Sequence, residues 1–165
     1  MKILVVGGGG REHAIIRALK KSPDCGDIWC APGNGGIGYD ATCKNISATD
    51  VDAMVAFAKA EAFDYVVVAQ DDPLALGMVD ALAKVGIPAF GPDAAAGRIE
   101  ASKGFSKDLM KKYGIPTAGY ETFDDPAKVM DYIRSKGKYP VVIKADGLAL
   151  GKGVLICQNE PEAAD

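Results

Sequence analysis

The sequence predicts an α/β protein that opens with a doubly wound parallel sheet. Short apolar runs alternate with amphipathic helical segments, an order that favours parallel strands joined by right-handed helical crossovers. The first run, KILVV at residues 2–6, leads into four glycines and then into a segment with Ile15, Ile16 and Leu19 at helical spacing. A buried strand, a glycine turn and a helix in this order are typical of the first unit of a doubly wound domain.

The other elements follow in order along the chain. We expect a strand at 27–31, a helix over 50–62 capped by Thr49 and Asp52, a strand at 65–69, a helix over 75–85 and a strand at 87–90. After Gly91 and Pro92 we expect a broken, lysine-rich helical stretch over 94–113, a strand at 117–123, a helix near 125–136 and apolar strands at 141–144 and 154–156. A last helix is predicted to begin after Gln158, with Pro161 in its first turn. Such a small β-α-β-β element with an unfinished edge is not expected to be stable alone, so the chain is predicted to be a fragment of a longer protein.

Composition excludes several classes of protein. The net charge is −3, and the longest basic cluster, at 107–112, fits one solvated helix face, so we expect no nucleic-acid partner. No apolar run is long enough for a membrane span, and no signal peptide is visible, so we expect no membrane partner. Four scattered cysteines form no metal-binding motif and are expected to be free thiols, which favours the cytoplasm.

The stretch VVIKADGLALGKGVLI at 141–156 reads as strand, glycine-rich loop and strand. We call residues 145–153 the glycine flap. Its glycines permit close backbone approach to a ligand, and the lysines at both ends could meet phosphate oxygens. A P-loop is rejected, because only three residues separate Gly147 from Gly151 and because Gly153, rather than Ser or Thr, follows Lys152. A plain hairpin with solvent-facing lysines explains the pattern equally well.

The glycines at 7–10, the first glycine loop, do not complete a dinucleotide fingerprint. From Gly7 and Gly9 the third small position falls on Glu12, where a bulky acid is expected to obstruct helix-to-strand packing; from Gly8 and Gly10 it falls on His13. The second strand also ends without the carboxylate that would hold a ribose hydroxyl, so NAD binding is disfavoured. An anion site remains, with helix amides and Arg11 facing a phosphate or carboxylate, and a simple tight turn is the alternative.

Two further segments follow predicted strands at the edge of the sheet where ligands usually bind. Residues 32–38, PGNGGIG, form a second glycine loop in which Asn34 and backbone amides could meet a sugar phosphate, although a flexible connection is the alternative. Asp71 and Asp72 precede a proline-led helix and would suit sugar hydroxyls, although helix capping explains at least one of these acids.

Several ordered motifs together resemble one known family. KILVVGGGGREHAI at the start, the PGNGG loop, FGP at 90–92, IEASKGFSKDLMKKYGIPTA at 99–118 and VVIKADGLALGKGV at 141–154 are similar to the phosphoribosylamine–glycine ligase (glycinamide ribonucleotide synthetase) family of the ATP-grasp superfamily. The resemblance covers essentially the whole chain.

The resemblance implies a ligase of purine biosynthesis. Such an enzyme joins glycine to 5-phosphoribosylamine to give glycinamide ribonucleotide, with ATP converted to ADP and phosphate through a glycyl phosphate. By the same resemblance, residues 1–92 are a Rossmann-like pre-ATP-grasp domain, residues 93–119 a connecting helical segment of the ATP-grasp core, and residues 120–165 the truncated first part of the lid subdomain. Another ATP-grasp purine enzyme and a non-catalytic nucleotide-binding module remain as alternatives.

The expected site residues fall into two groups. The ATP-binding group is Lys103, Lys144, Asp146, Gly147, Gly151, Lys152 and Gly153, and the substrate-binding group is Gly9, Gly10, Arg11, Asn34, Asp71, Pro73 and Leu74. Asp71 stands where the family pattern has Glu, so its acid is one carbon shorter. No catalytic side chain is assigned, ligands for Mg²⁺ or Mn²⁺ are expected in an absent C-terminal part, and the fragment alone is expected to be inactive.

Overall fold

The computed structural model describes residues 1–149 and 152–165, which divide into two compact units, Met1–Arg98 and Ile99–Asp165. Unit 1 is a five-stranded parallel sheet with helices on both faces, as the sequence predicted. Its elements are β1 (Ile3–Gly7), α1 (Gly10–Leu19), β2 (Ile28–Pro32), a short 3-10 turn (Ile37–Tyr39), β3 (Thr42–Cys43), α2 (Val51–Ala60), β4 (Tyr65–Val68), α3 (Asp71–Ala75), α4 (Met78–Lys84), β5 (Ala89–Phe90) and α5 (Ala94–Ala101), which crosses the boundary between the units.

The strand order β3-β2-β1-β4-β5 puts the first strand at the centre of the sheet. Successive side chains of a strand point to opposite faces, so β1 contributes to two cores. Leu4 and Val6 pack on the face covered by α2 and α4, whereas Ile3 and Val5 pack with Ile16 of α1 on the other face. Burial on both sides explains why β1 is a continuous apolar run.

Unit 2 contains α6 (Lys103–Lys112), α7 (Pro126–Lys136), β6 (Val141–Lys144), β7 (Val154–Cys157) and α8 (Glu160–Ala164). Strands β6 and β7 form an antiparallel pair in which Lys144 lies opposite Val154, so the predicted hairpin is confirmed. The predicted break in the lysine-rich helical stretch is also confirmed, because Ser102 separates α5 from α6.

Three local predictions were wrong. No strand forms over 117–123, where Lys107 and Asp108 of α6 instead bond the segment through Thr117 and Tyr120. The helix expected over 75–85 begins only at Met78, because Gly77 adopts a left-handed conformation between α3 and α4. Helix α2 is capped by Asp50, whose carboxylate accepts the Ala53 amide at 3.0 Å, rather than by Thr49 and Asp52.

The two-residue strand β3 and the 3-10 turn were not predicted.

Within residues 1–149 and 152–165, no helix combines the length and apolar character that crossing a membrane requires.

Candidate functional site

The two glycine loops of unit 1 lie against each other, backbone to backbone. The Gly33 amide donates to the Gly7 carbonyl at 3.0 Å, and a Cβ on Gly8 would lie only 2.6 Å from the Gly33 carbonyl oxygen. Asn34 completes the contact, since its Nδ2 donates to the Gly8 carbonyl at 2.7 Å and its Oδ1 accepts the Ile37 amide at 2.9 Å. The structure therefore brings together two of the predicted ligand loops, and Asn34 fixes their spacing.

Glu12 is buried beneath the first glycine loop, with 1% of its surface exposed. The expectation that this acid would obstruct packing was wrong. Gly7 has no Cβ, and one placed there would lie 2.7 Å from Glu12 Cγ, so the glycine makes room for the acid. Glu12 Oε2 accepts the Gly9 amide at 2.7 Å and so caps α1.

Sequence reasoning missed this role of Glu12, although an acid three residues after a helix N-cap is a recognisable capping signal. Its other oxygen, Oε1, is buried and has no hydrogen-bond partner among the described residues. The pKa of the Cys30 thiol is raised to about 12. Burial is the largest cause, and the charges of Cys43 and Glu12 add to it. Cys30 therefore stays protonated and donates to the Gly7 carbonyl at 3.1 Å.

The predicted substrate residues Gly9, Gly10, Arg11 and Asp71 lie around the carboxyl ends of β1 and β4. Gly9 is the N-cap of α1, and Gly10 is exposed with no heavy atom within 4 Å of the place where a Cβ would be. Arg11 Nη1 donates to the Ala69 carbonyl at 2.5 Å and lies 3.6 Å from Asp71 Oδ1. Arg11 and Asp71 keep 59% and 46% of their side-chain surface exposed, so both can meet a ligand.

Pro73 and Leu74 follow Asp71 within helix α3 but lie in a more buried environment. Pro73 is fully buried, and Leu74 packs against the core, where its Cδ2 would lie 2.7 Å from a Cβ on Gly91. Their side chains thus hold α3 against the sheet and place Asp71 at the sheet edge.

A charged cluster beside the second glycine loop was not anticipated. Asp40 accepts from Lys20 Nζ at 2.7 Å, and its other oxygen is 2.9 Å from His13 Nε2. Hydrogen bonds from Lys20 and then His13 lower the pKa of Asp40 from 3.8 to about 2. His13 Cε1 would lie 3.5 Å from a Cβ on Gly36, so the cluster supports this loop from one side.

In unit 2, the glycine flap leaves the end of β6 and returns at β7. The Ala145 amide donates to the Gly153 carbonyl at 2.8 Å, which continues the ladder by one step beyond Lys144. A Cβ on Gly153 would lie 2.7 Å from the Ala149 Cβ, so only glycine fits there, and Gly147 has a φ of +88°. Gly151, predicted to bind ATP, lies outside the described residues.

Helix α6 and the glycine flap are joined by hydrogen bonds. Lys103 Nζ donates to the Gly147 carbonyl at 2.6 Å. Asp146 accepts from the backbone amides of Lys103 and Gly104 at 2.6 and 3.2 Å and from the Ser102 hydroxyl at 3.0 Å. The Gly104 amide, and then the Ser102 hydroxyl with the Gly147 and Lys103 amides, hold the pKa of Asp146 below its ordinary value, although burial acts in the opposite direction.

Lys144 immediately precedes the glycine flap, Lys152 lies near its end, and both side chains are exposed. Within the described part of the chain, neither ammonium group makes a hydrogen bond or ion pair. Two such cations beside a glycine-rich backbone can meet an anion such as a phosphate without first breaking another contact. Among residues 1–149 and 152–165, no group of three or more His, Cys, Asp or Glu side chains could hold a metal ion.

Comparison with known proteins shows the family of this chain. Residues 1–100 match the family described as phosphoribosylglycinamide synthetase, N domain, and residues 101–165 match the ATP-grasp (A) domain of the same synthetase. A phosphoribosylamine–glycine ligase from Agrobacterium fabrum is 47% identical over 163 residues, which are 99% of this chain and 38% of the relative. The ligase from Caldanaerobacter subterraneus is 46% identical over 165 residues, which are 100% of this chain and 39% of the relative.

Solved structures show the same fold. The crystal structure of phosphoribosylamine–glycine ligase from Thermotoga maritima is 32% identical, with a TM-score of 0.76 over 99% of this chain and 38% of that one. An N5-carboxyaminoimidazole ribonucleotide synthetase from Thermotoga maritima is 22% identical, with a TM-score of 0.75 over 98% of this chain and 42% of that one, and shows the fold alone.

The parallel-sheet unit, followed by the helices and the glycine flap, defines the class as an ATP-grasp protein. Within that class, the chain belongs to the phosphoribosylglycinamide synthetase family. It spans about 38% of the length of the curated relatives that it matches.

Proposed function

We propose that this chain is part of a ligase that joins glycine to 5-phosphoribosylamine, with conversion of ATP to ADP and phosphate. The observation that carries the proposal is the hydrogen bond of 2.6 Å between Lys103 Nζ and the Gly147 carbonyl, which holds a helix lysine on the glycine flap. Lys144, at the end of β6, adds a second ammonium group at the base of the same loop. The family membership supplies the reaction for which these cations would be used.

The chemistry explains why lysines are placed on a glycine-rich loop. Activating the carboxylate of glycine requires transfer of a phosphoryl group, and the negative charge of that group must be neutralised by fixed cations. Lys103 and Lys144 would hold the phosphate groups of ATP, and backbone amides of the described flap residues would add further donors. Mg²⁺ or Mn²⁺, when bound, would neutralise further phosphate charge, and we place its ligands outside the described residues, which contain no suitable cluster.

Unit 1 would bind the sugar substrate. The two glycine loops meet at the carboxyl ends of neighbouring parallel strands, where ligands of open α/β sheets usually lie. Arg11 would meet the phosphate, and Asn34 and Asp71 would face the sugar hydroxyls. We also propose a cytoplasmic location, because all four cysteines are free thiols.

Phosphate release by the intact enzyme tests the proposal. Release should require ATP, glycine and 5-phosphoribosylamine together. Release that needs a different acceptor would indicate another ATP-grasp enzyme, and absence of release with every acceptor would indicate a nucleotide-binding module; either result contradicts the proposal.

Lys144→Ala in the intact enzyme tests the role of the flap. The variant should lower turnover by about 10²-fold or more, the effect of removing a preorganised group that stabilises developing charge. Because Lys144 is exposed, the thermal unfolding midpoint should stay nearly unchanged. Lys138→Ala removes an exposed lysine of the same unit outside the flap and should leave turnover unchanged. Unaltered turnover in Lys144→Ala would contradict the assigned role.

A further inference from the structure

The carboxylate of Asp146 lies on the first turn of helix α6. Its Oδ1 accepts the Lys103 amide at 2.6 Å and the Gly104 amide at 3.2 Å, while its Oδ2 accepts the Ser102 hydroxyl at 3.0 Å. The same hydroxyl accepts the Phe105 amide at 3.1 Å. The first three amides of α6, which have no partner within the helix, are thus satisfied by one N-cap and one distant carboxylate.

A fourth hydrogen bond joins the same two segments. Lys103 donates its ammonium to the carbonyl of Gly147, the residue that follows Asp146. Residues 102–104 and 146–147 therefore form a clasp of four hydrogen bonds in which residues 102–104 supply every donor and residues 146–147 supply every acceptor. The clasp lies one residue beyond the last ladder bond on the β6 side, Ala145 to Gly153.

The charges in the clasp argue against direct binding of phosphate by Asp146. A carboxylate repels a phosphate, and both of its oxygens already accept hydrogen bonds from α6. Its charge is instead matched by the positive end of the α6 dipole. The side chain that is left to face an anion is Lys103, whose position depends on the same contact.

From this arrangement we infer that Asp146 is a positioning residue, which fastens the glycine flap to the start of α6 and so holds the Lys103 ammonium where the nucleotide phosphates bind. The inference rests on the proposed function in so far as Lys103 contacts ATP. It revises the sequence-based expectation that Asp146 itself contacts the nucleotide. If Asp146 only capped α6, it would make the same hydrogen bonds, but its effect on nucleotide binding would not depend on Lys103.

A double-mutant cycle in the intact enzyme separates these two roles. The measured quantity is the Kd of a non-hydrolysable ATP analogue, obtained by calorimetry without glycine or 5-phosphoribosylamine. Asp146→Ala should weaken binding about tenfold, as expected for loss of hydrogen bonds to a charged group. Asp146→Asn keeps an acceptor for the two amides and should stay within about threefold of the wild type.

The coupling to Lys103 decides between positioning and capping. In a Lys103→Met background, Asp146→Ala should weaken binding by less than about twofold, because the side chain through which it acts is already absent. Asp124→Ala is the matched control, since its carboxylate keeps 90% of its surface exposed, and this change should leave the Kd unaltered. A tenfold loss that persists in the Lys103→Met background, or no loss at all in Asp146→Ala, would overturn the inference.

Amide hydrogen exchange provides a readout that is independent of nucleotide binding. The amides of Lys103 and Gly104 should exchange faster in Asp146→Ala than in the wild type, while those of α7 should not change. Unchanged exchange at both amides would also overturn the clasp. If phosphate release fails while the coupling to Lys103 is found, the proposed ligation is wrong and the clasp stands.

Discussion

Replacing Gly8 by alanine tests how tightly the two glycine loops are packed. The new Cβ would lie 2.6 Å from the carbonyl oxygen of Gly33 and 3.3 Å from its carbonyl carbon, and both are backbone atoms. Gly33 is held by its own hydrogen bond to Gly7, so it cannot move away without loss of that contact. We expect Gly8→Ala to lower the free energy of unfolding by about 1–3 kcal/mol, the usual cost of overpacking.

Gly10→Ala is the matched control, two residues further along. A Cβ at Gly10 meets no heavy atom within 4 Å, and the residue begins helix α1, so this change should raise the free energy of unfolding by a few tenths to about 1 kcal/mol. Urea unfolding followed by the fluorescence of Trp29, the single tryptophan, reports on unit 1, because Trp29 lies in β2. If Gly8→Ala and Gly10→Ala change the free energy of unfolding with the same sign and by a similar amount, the claim that contact with Gly33 requires glycine at position 8 is refuted.

Two further predictions concern pH. The pKa of Asp40 is lowered from 3.8 to about 2, so its hydrogen bonds to Lys20 and His13 should stabilise the fold above about pH 4 and lose this effect as the pH falls towards 2. Lys20→Met should raise the pKa of Asp40, measured by a carbon-13 NMR titration. An unchanged pKa would contradict the assignment. The hydrogen bond to Asp108 raises the pKa of Tyr120 from 10.0 to about 12, so this bond should stabilise the fold below pH 10 and lose its effect as the pH rises towards 12. Asp108→Asn should return the pKa of Tyr120 towards 10, measured from the NMR chemical shift of the ring.

The sequence predicted those elements that are defined by their own local pattern. Strands β1, β2 and β4 are apolar runs because they are buried, and the ends of α7 follow from Asp125, Pro126 and Gly137. The prediction of a strand over 117–123 was wrong because a strand also needs a neighbouring strand to pair with, which no local pattern supplies. There, side-chain bonds from Lys107 and Asp108 take the place of a ladder.

The candidate sites could be located from the sequence, but the role of each residue in them could not be predicted. Glycine clusters marked the loops, yet the burial of Glu12 depends on the space left by Gly7, which is visible only in three dimensions. Likewise, Asp146 was assigned to ATP because it lies in the glycine flap. Its bonds to Lys103 and Gly104 join residues more than 40 positions apart, and no local pattern predicts such a pair.

The central place of β1 constrains the order in which unit 1 can assemble. Ile3 is paired with Ile28 on one side and with Tyr65 on the other, so β1 gains its second neighbouring strand only after β4 has been made. Until then one edge of β1 carries unpaired amide and carbonyl groups on an apolar strand, which is the kind of surface that recruits other chains. Nascent chains halted before Tyr65 should therefore aggregate or bind chaperones, whereas chains that extend past Phe90 can close the sheet.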